Sequence, residues 1–291
     1  MRIFHGRGGT YAGFEHLTID WHPRLLIISA YKPLDFDLPS IDEINVLADE
    51  LSIDTVFYHR RYLTEQAWQC VRGDADADFY AVRDQQRFEL SVGRQQNVGF
   101  FLDIEPGRHW LEEHGKSKRI LNLFAFTCAF SVVGVGVGAA KVVNVDMSRQ
   151  SLNRGRANHH LNNQDTYNVE FMQEDILKSW GRIRKRGPFD VIIFDPPSFQ
   201  KGSFVAQRDY RKLIRRIPEL ASEQCEVLAC LNSPELDASF LTDLFSEILP
   251  QAELVERLPA NPYFPEKDPN QALKLYHYRF VNDQSIDSDP T

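Results

Sequence analysis

From about residue 117 onward, short apolar runs alternate along the chain with longer stretches of helical periodicity. This alternation is typical of βαβ units, in which crossover helices join parallel strands. Two further apolar runs close the chain with no helix between them. The pattern predicts an α/β fold with a doubly wound, Rossmann-like sheet of seven mainly parallel strands, whose last strand inserts antiparallel.

The predicted strands of this sheet cover residues 119–126, 141–146, 169–172, 189–195, 226–232, 253–258 and 273–281. Helices are predicted between them at about 128–137, 148–163, 175–186, 205–222 and 234–248. Before residue 90 the elements are shorter and mixed, with strands at 16–20, 25–31 and 55–59, a helix at 41–51, and a hairpin from 79–82 to 87–92. We therefore expect a small α+β domain over residues 1–90 and the sheet domain over residues 91–291.

The composition excludes several classes of protein. No apolar run is long enough to span a membrane and the start has no apolar signal region, so we expect a cytoplasmic protein. The four cysteines form no CxxC pair and the nine histidines form no HExxH motif, so we expect reduced thiols and no metal site.

A formal net charge of −8 argues against indiscriminate binding to nucleic acid, because that affinity depends on cations that neutralise phosphates. Two basic clusters could still contact RNA locally. One spans residues 182–186, and the other, over residues 201–216, has six cationic residues and one acid, a local formal charge of +5. The alternative for both clusters is an ordinary solvated helix face.

Acidic residues follow two of the predicted strands at the edge where open sheets of this kind bind ligands. Asp146 ends the second strand, where a carboxylate can accept both hydroxyls of a ribose. Asp175 follows the third strand and either caps the next helix or contacts a ligand, and both roles are compatible. These positions predict an adenosine, without separating a nicotinamide from S-adenosylmethionine.

The glycine run at 134–138 resembles a relaxed GxGxxG motif, but it precedes the second strand instead of following the first. A dinucleotide fingerprint needs its glycines directly after the first strand, so this run more plausibly ends the first helix and lets it pack closely. The segment that does follow the first strand, Phe-Thr-Cys-Ala-Phe at 126–130, would hold a pyrophosphate poorly. This favours S-adenosylmethionine over a dinucleotide.

The segment Asp-Pro-Pro-Ser-Phe at 195–199 closes the fourth predicted strand. The two prolines lack amide hydrogens and fix φ, so nearby carbonyls are held rigidly toward the ligand edge. Those carbonyls and Asp195 could accept hydrogen bonds from a planar amino-bearing group, and Phe199 could stack on it. The alternative is a rigid turn with Phe199 in the core.

Several motifs together carry a family resemblance. The chain has Asn-Val-Gly-Phe-Phe-Leu-Asp at 97–103, Leu-Asn-Leu-Phe-Ala-Phe-Thr at 121–127, Val-Asn-Val-Asp at 143–146, Asn-His-His-Leu-Asn at 158–162 and the 195–199 segment. As a set they resemble class I S-adenosylmethionine-dependent methyltransferases that modify bases of bacterial 23S ribosomal RNA. The resemblance spans residues 90–281, and the first 90 residues resemble the small domain that precedes the catalytic one.

The resemblance implies roles for individual residues. Phe100 and Asp103 would close over the cofactor, while Asn122, Phe124 and Thr127 would line its methionine end. Asp146 would bind the ribose and Asp175 the adenine amino group. The full implied cofactor set is Asn97, Phe100, Asp103, Asn122, Phe124, Ala125, Phe126, Thr127, Asp146, Met147, Ser148, Asp175 and Ile176, and the implied acceptor set is Asp195, Pro196, Pro197, Phe199 and Asn232.

Two positions depart from the family pattern. Thr-Cys-Ala-Phe at 127–130 stands where the family usually has Thr-Gly-Gly-Phe, so the added side chains could narrow the pocket. Family members that methylate cytosine C5 carry a nucleophilic cysteine where this chain has Asn232. Cys230, two residues earlier, lies in an apolar strand where burial would keep it a thiol, so we expect a core residue. Asn232 instead suits the edge of a purine.

The sequence therefore predicts a methyltransferase acting on a base nitrogen of RNA, with ribosomal RNA as the expected substrate and guanine favoured over adenine. Methyl transfer from a sulfonium mainly needs alignment, which agrees with the lack of a catalytic triad or metal motif. One alternative keeps the cofactor and changes the acceptor to a protein side-chain amide or a small molecule. Another is a non-catalytic RNA-associated protein that has lost cofactor binding.

Overall fold

The computed structural model describes residues 1–34, 40–197, 199–200 and 204–282, and within these it leaves the side chains of residues 41, 199 and 200 undescribed. Contacts within the chain divide it into two compact units. The first unit comprises Met1–Asp103 and Asn261–Pro269, and the second comprises Ile104–Ala260 and the chain from Asn270 onward. The first unit thus extends beyond residue 90, where the sequence places the domain boundary.

Residues after 90 belong to the first unit because they pack back on its last two strands. The Ser91 amide donates to the Val98 carbonyl at 2.7 Å, and the ring centroids of Phe88 and Phe100 lie 4.6 Å apart. This packing is not visible in the periodicity of the sequence.

The first unit has a five-stranded sheet of order β1-β2-β3-β4-β5 and a separate hairpin, β6-β7. Its strands are β1 Arg2–His5, β2 Leu17–His22, β3 Leu25–Ala30, β4 Thr55–Arg60, β5 Trp68–Arg72, β6 Phe79–Arg83 and β7 Gln86–Leu90. Helix α1 (Ile41–Glu50) connects the parallel pair β3 and β4. Ser40 and Glu43 form a capping box that starts this helix, since each side chain bonds the other residue's amide.

The second unit contains the predicted seven-stranded sheet, which is confirmed. Its order is β10-β9-β8-β11-β14-β16-β15. The strands are β8 Arg119–Leu123, β9 Lys141–Asp146, β10 Val169–Gln173, β11 Phe189–Phe194, β14 Ala221–Leu231, β15 Ala252–Arg257 and β16 Lys274–Val281. The first four neighbouring pairs are parallel, and β16 inserts antiparallel to both β14 and β15.

The helices of this unit are α2 Glu105–His114, α3 Ala129–Gly136, α4 Arg149–Leu161, α5 Trp180–Arg184, α6 Ala206–Ile214, α7 Ile217–Leu220 and α8 Ser239–Ile248. A two-stranded ribbon, β12 (Phe199–Gln200) and β13 (Phe204–Val205), precedes α6. No helix of the described residues is long and apolar enough to cross a membrane.

Successive residues of the central strands pack on opposite faces of the sheet. On β11, Ile192 and Phe194 join a cluster with residues of α6 and α8, whereas Val191 and Ile193 join a cluster with residues of α2 and α3. A strand that is buried on both faces has no polar side to show. This explains why these strands appear in the sequence as continuous apolar runs.

One predicted helix was wrong, and several elements were missed. The predicted helix 205–222 is two short helices followed by the start of β14, because Pro218 cannot continue α6 and lies instead in the first turn of α7. The sequence analysis also missed β1, β5 and α2. The glycine run does end α3, and a Cβ added to Gly134 would lie 2.9 Å from the Ile120 side chain, so the helix packs closely there.

A buried chain of polar side chains joins β8, β9, α3 and α4. Its hydrogen bonds run through Asn122, Asn144, Ser131, His159 and Gln164, with lengths of 2.9, 2.9, 2.9 and 2.7 Å. The Gln164 amide nitrogen donates to the carbonyl of residue 132, so its oxygen accepts from Nδ1 of His159. Nε2 of His159 then accepts from the Ser131 hydroxyl, which requires a neutral imidazole.

Burial is the main cause that lowers the pKa of His159, to about 4. Between pH 6.5 and 4 the unfolded chain therefore binds a proton that the folded chain does not. The free energy of unfolding should fall as the pH drops through this window, by on the order of 2–3 kcal/mol for this group.

Urea unfolding at pH 7.5 and 4.5 should show a smaller loss of unfolding free energy for His159→Gln than for the unmodified chain. His160→Gln, at the exposed neighbouring position, is the control and should keep the full loss; equal losses in all three proteins would contradict the assignment.

Candidate functional site

The strand order of the large sheet reverses around β8, which pairs with β9 on one side and with β11 on the other. Leu123 is in register with Val145 and with Phe194. The residues that follow them therefore leave three adjacent strands at the same level, at the carboxyl edge where open sheets bind ligands. The tips of β8, β9 and β11 therefore lie side by side, at residues 124, 146 and 195.

Asp146 ends β9 with its carboxylate turned toward the loop after β8. Its Oδ2 accepts from the Phe126 amide and its Oδ1 from the Ser148 amide, both at 2.8 Å. Burial raises the pKa of Asp146 above its usual value, and the two amides oppose that rise. Each oxygen still has a lone pair, so the group can accept from two ribose hydroxyls, and this pair of acceptors fits an adenosine.

The loop after β8, residues 124–128, has an alternating backbone. Phe124, Phe126 and Cys128 have φ of 59°, 47° and 59°, in the left-handed region. Such a conformation costs a residue other than glycine about 1–3 kcal/mol and persists only where the surroundings enforce it. Here Ala125 donates to the Val145 carbonyl at 3.1 Å, in addition to the bond from Phe126 to Asp146. Four predicted cofactor residues, 124–127, lie in this loop.

Other predicted cofactor residues surround the same edge. Ser148 caps α4, Met147 is exposed, and Asp175 caps a short 3-10 turn that contains the buried Ile176. Asp146 is in register with the last residue of β10, so Asp175 follows the neighbouring strand tip. The predicted N-cap role of Asp175 is confirmed, with the Leu177 amide donating to Oδ1 at 3.1 Å.

Asn122 lies before the strand tip, and its amide donates to Asn144 in the buried polar chain. Asn97, Phe100 and Asp103 belong to the first unit, where Asn97 accepts a bond from Arg61 at 3.4 Å. Their roles toward the cofactor stay predictions.

The predicted acceptor residues come together at the tips of β11 and β14. Pro197 and Asn232 form a parallel bridge that extends the pairing of these two strands. Asn232 is exposed, and Asp195 and Pro197 are half-buried while Pro196 is buried. The Phe199 backbone lies in β12, but its side chain, on which the stacking prediction depends, falls outside the described part of the structure, as does Ser198.

Cys230 is fully buried on β14 and packs with Val191 and Ile193, so its prediction as a core residue is confirmed. The Tyr210 hydroxyl donates to the Cys230 carbonyl, and burial raises the pKa of this tyrosine well above its ordinary value. Tyr210 thereby ties α6 to the strand that ends at the acceptor site.

Ion pairs neutralise part of the positive charge of the basic segment 201–216. Asp209 is a fully buried residue of α6, and it accepts from Arg208 and Lys212 at 2.7 Å each. The hydrogen bond from Arg208 holds the pKa of Asp209 well below its usual range. Arg211 pairs with Glu247, which the local charge sum could not include. Lys201 lies outside the described residues.

In the other basic cluster, 182–186, Arg182 pairs at 2.6 Å with Glu174, directly after β10, and the later residues lie toward the opposite edge of the sheet. The cluster precedes the start of β11, and the Arg119 side chain at the start of β8 donates to the Arg186 carbonyl at 2.6 Å. Residues 184–186 therefore lie away from the strand tips. Among the described residues, no group of three or more His, Cys, Asp or Glu side chains could hold a metal ion.

The seven-stranded sheet, with β16 inserted antiparallel between β14 and β15, is the fold of the class I methyltransferases. The sequence model of the S-adenosylmethionine-dependent methyltransferase family matches residues 1–279, and the chain belongs to that family.

Curated relatives of the chain are named as methyltransferases of large-subunit ribosomal RNA. The chain is 41% identical over 111 residues to the ribosomal RNA large subunit methyltransferase I of Aeromonas hydrophila, a match covering 38% of this chain and 28% of the relative. To the enzyme of that name from Photobacterium profundum it is 28% identical over 195 residues, covering 64% of this chain and 49% of the relative. The chain thus spans between about a quarter and a half of these relatives.

Among solved structures, the chain is similar to SMU.776, described as a methyltransferase complexed with SAH. The TM-score is 0.82 at 23% identity, covering 96% of this chain and 74% of the other. At this identity the likeness establishes the fold.

Replacing Asp146 should weaken cofactor binding without unfolding the chain. In Asp146→Asn, the side-chain NH2 group would face one of the two backbone amides that now donate to the carboxylate. The substitution also removes the charged acceptor for the ribose. We expect the Kd for S-adenosylmethionine, measured by calorimetry, to rise at least about tenfold. Asp165→Asn, which alters a carboxylate that accepts from a turn amide outside the site, should leave the Kd unchanged. A Kd of Asp146→Asn within twofold of the unmodified chain would refute the ribose role.

Proposed function

We propose that this protein transfers a methyl group from S-adenosylmethionine to a base nitrogen of ribosomal RNA. The observation that supports the proposal is the register of β8, β9 and β11, because it brings Asp146 and the Asp-Pro-Pro segment to one edge of the sheet. The relatives named for large-subunit ribosomal RNA support the substrate class. Such a substrate is cytoplasmic, so the expected location belongs to the same proposal.

The acceptor site consists of groups that recognise planar amino-bearing rings. Asp195 accepts a hydrogen bond from an exocyclic or ring N–H, and the prolines hold the strand end rigid. S-adenosylmethionine supplies an electrophilic methyl on its sulfonium. The chain's own contribution is to align the acceptor nitrogen and exclude water, which requires no triad or metal.

The bridge between Pro197 and Asn232 supports a purine acceptor. Asn232 is exposed at the edge, and its side chain offers one donor and one acceptor group, as a purine edge requires. Cytosine C5 methylation needs a thiolate that adds to the ring, and Cys230 is buried within the strand. We therefore favour guanine first and adenine second.

Arg208 and Lys212 extend the proposed site toward a phosphate backbone. They are exposed, lie one helical turn apart on α6, and are oriented by the buried Asp209. Asp209 also accepts from the Val205 amide at 2.9 Å, which fixes the start of α6 at Ala206, the first helix after the acceptor segment. This placement favours the 201–216 cluster over the 182–186 cluster as the RNA contact.

Asp195→Ala should keep cofactor binding and lose methyl transfer. Without the carboxylate the acceptor nitrogen is no longer aligned, so we expect incorporation of labelled methyl into unmodified large-subunit ribosomal RNA to fall on the order of 100-fold. Calorimetry with S-adenosylmethionine should give an unchanged Kd. Asp190→Ala, at the opposite end of the same strand, is the control for both assays. Unchanged incorporation by Asp195→Ala would count decisively against the acceptor site.

Arg208→Gln with Lys212→Gln should weaken RNA binding in a salt-dependent way. Glutamine keeps an N–H donor for Asp209 but removes two cations, so the slope of log K against log salt should become shallower by roughly 1–2. Filter binding to unmodified large-subunit ribosomal RNA measures this slope. The matched control, Arg184→Gln with Lys185→Gln, makes the same charge change at the opposite edge. Equal slopes for both double variants would refute the contact.

The pairing of the basic residues with acids, together with the net charge of −8, favours one alternative. In it the cofactor is the same and the acceptor is a protein side-chain amide or a small molecule. Ribonuclease treatment of labelled extract separates the two, because label that survives in protein or metabolite supports the alternative. A protein that binds no S-adenosylmethionine would instead be a non-catalytic RNA-associated factor.

A further inference from the structure

The cofactor loop, residues 124–128, holds three left-handed residues that are not glycines. Bonds to β9 account for the positions of Ala125 and Phe126. They do not account for the end of the loop at Thr127 and Cys128, where the backbone turns into α3. Helix α4 supplies contacts at both of these residues.

We propose that α4 acts as the template of the cofactor loop, with Asn158 and Gly155 as positioning residues that set its affinity for S-adenosylmethionine. The inference deepens the proposed function, on which its cofactor rests. Neither residue belongs to the set that the sequence analysis assigned to the cofactor.

Asn158 provides a polar contact to the end of the loop. Its side chain is fully buried, and its Nδ2 donates to the Thr127 carbonyl at 3.0 Å. Thr127 is itself buried, so without this donor its carbonyl would lose a hydrogen bond that water cannot easily replace. Ser148, two residues after Asp146, caps α4. The proposed ribose carboxylate and the helix that supports the cofactor loop are therefore consecutive in the chain.

Gly155 provides the space that the Cys128 side chain fills. A Cβ at this position would lie 2.4 Å from Sγ and 2.8 Å from Cβ of Cys128. Cys128 is fully buried and packs with Ala125 and Leu152, so its side chain occupies space that exists only because residue 155 has none. The side chain is therefore directed into the core against α4, and the left-handed turn at Cys128 is held by its own packing.

The first test removes the hydrogen bond from Asn158, and it measures amide hydrogen exchange of the ligand-free loop and the Kd for S-adenosylmethionine. In Asn158→Ala we expect faster amide hydrogen exchange of a peptide covering 124–128 in the ligand-free protein, and a Kd for S-adenosylmethionine raised about tenfold. Asn282→Ala is the matched control, because its Nδ2 also donates to backbone carbonyls in the second unit, at 2.9 Å for the Pro218 oxygen. It should change neither quantity.

The second test is a double-mutant cycle on the steric contact. Gly155→Ala should raise the Kd about tenfold, Cys128→Gly should change it by less than threefold, and the double variant should bind at least five times more tightly than Gly155→Ala alone. This cycle decides the question if Asn158→Ala does not fold, because recovery in the double variant cannot arise from independent damage.

The inference is overturned if loop exchange and Kd in Asn158→Ala match the unmodified chain, or if Gly155→Ala and Cys128→Gly have additive effects. If the unmodified chain binds no S-adenosylmethionine, the proposed function fails, and loop exchange in the ligand-free variants still judges the template role. A lowered melting temperature with unchanged exchange at 124–128 would show a purely structural role and would also overturn it.

Discussion

The site depends on the pairing of β8 with β9 and β11. Parallel hydrogen bonds fix Leu123 beside Val145 and Phe194, so the chain leaves all three strands at one level. A slip of one residue in either pairing would turn a strand's side chains to the other face. Burial on both faces of the sheet makes such a slip costly, and the packing of the core therefore also fixes the register of the functional residues.

The loop after β8 shows how local strain is tolerated at such an edge. Its three left-handed residues are disfavoured individually, and they persist because β9 and α4 bind the loop from two sides. The substitution pattern at Thr-Cys-Ala-Phe raised the concern of a narrowed pocket. The structure directs the Cys128 side chain toward Gly155, so this departure from the family pattern is accommodated by α4.

Much of the fold could be predicted because its signals are local. Apolar runs located the seven strands, and the polar residues that end them indicated the candidate site. What was missed has physical causes. Helix α2 had start and stop signals in Glu105, Pro106 and His114 but followed no strand, and β1 and β5 are edge strands with mixed patterns. Asn158 was part of a recognised motif, yet nothing in its spacing pointed to the Thr127 carbonyl.

The sequence by itself determined the class of sheet, the strand-end residues Asp146 and Asp195, and the burial of Cys230, because periodicity and residue chemistry act over a few neighbouring positions. Only the tertiary structure decided which charges face one another and what supports the loop. Glu247 neutralises Arg211 from 36 residues away, and α4 reaches the Thr127 carbonyl from 31. Such contacts depend on how distant segments pack, and that packing is set by the whole core.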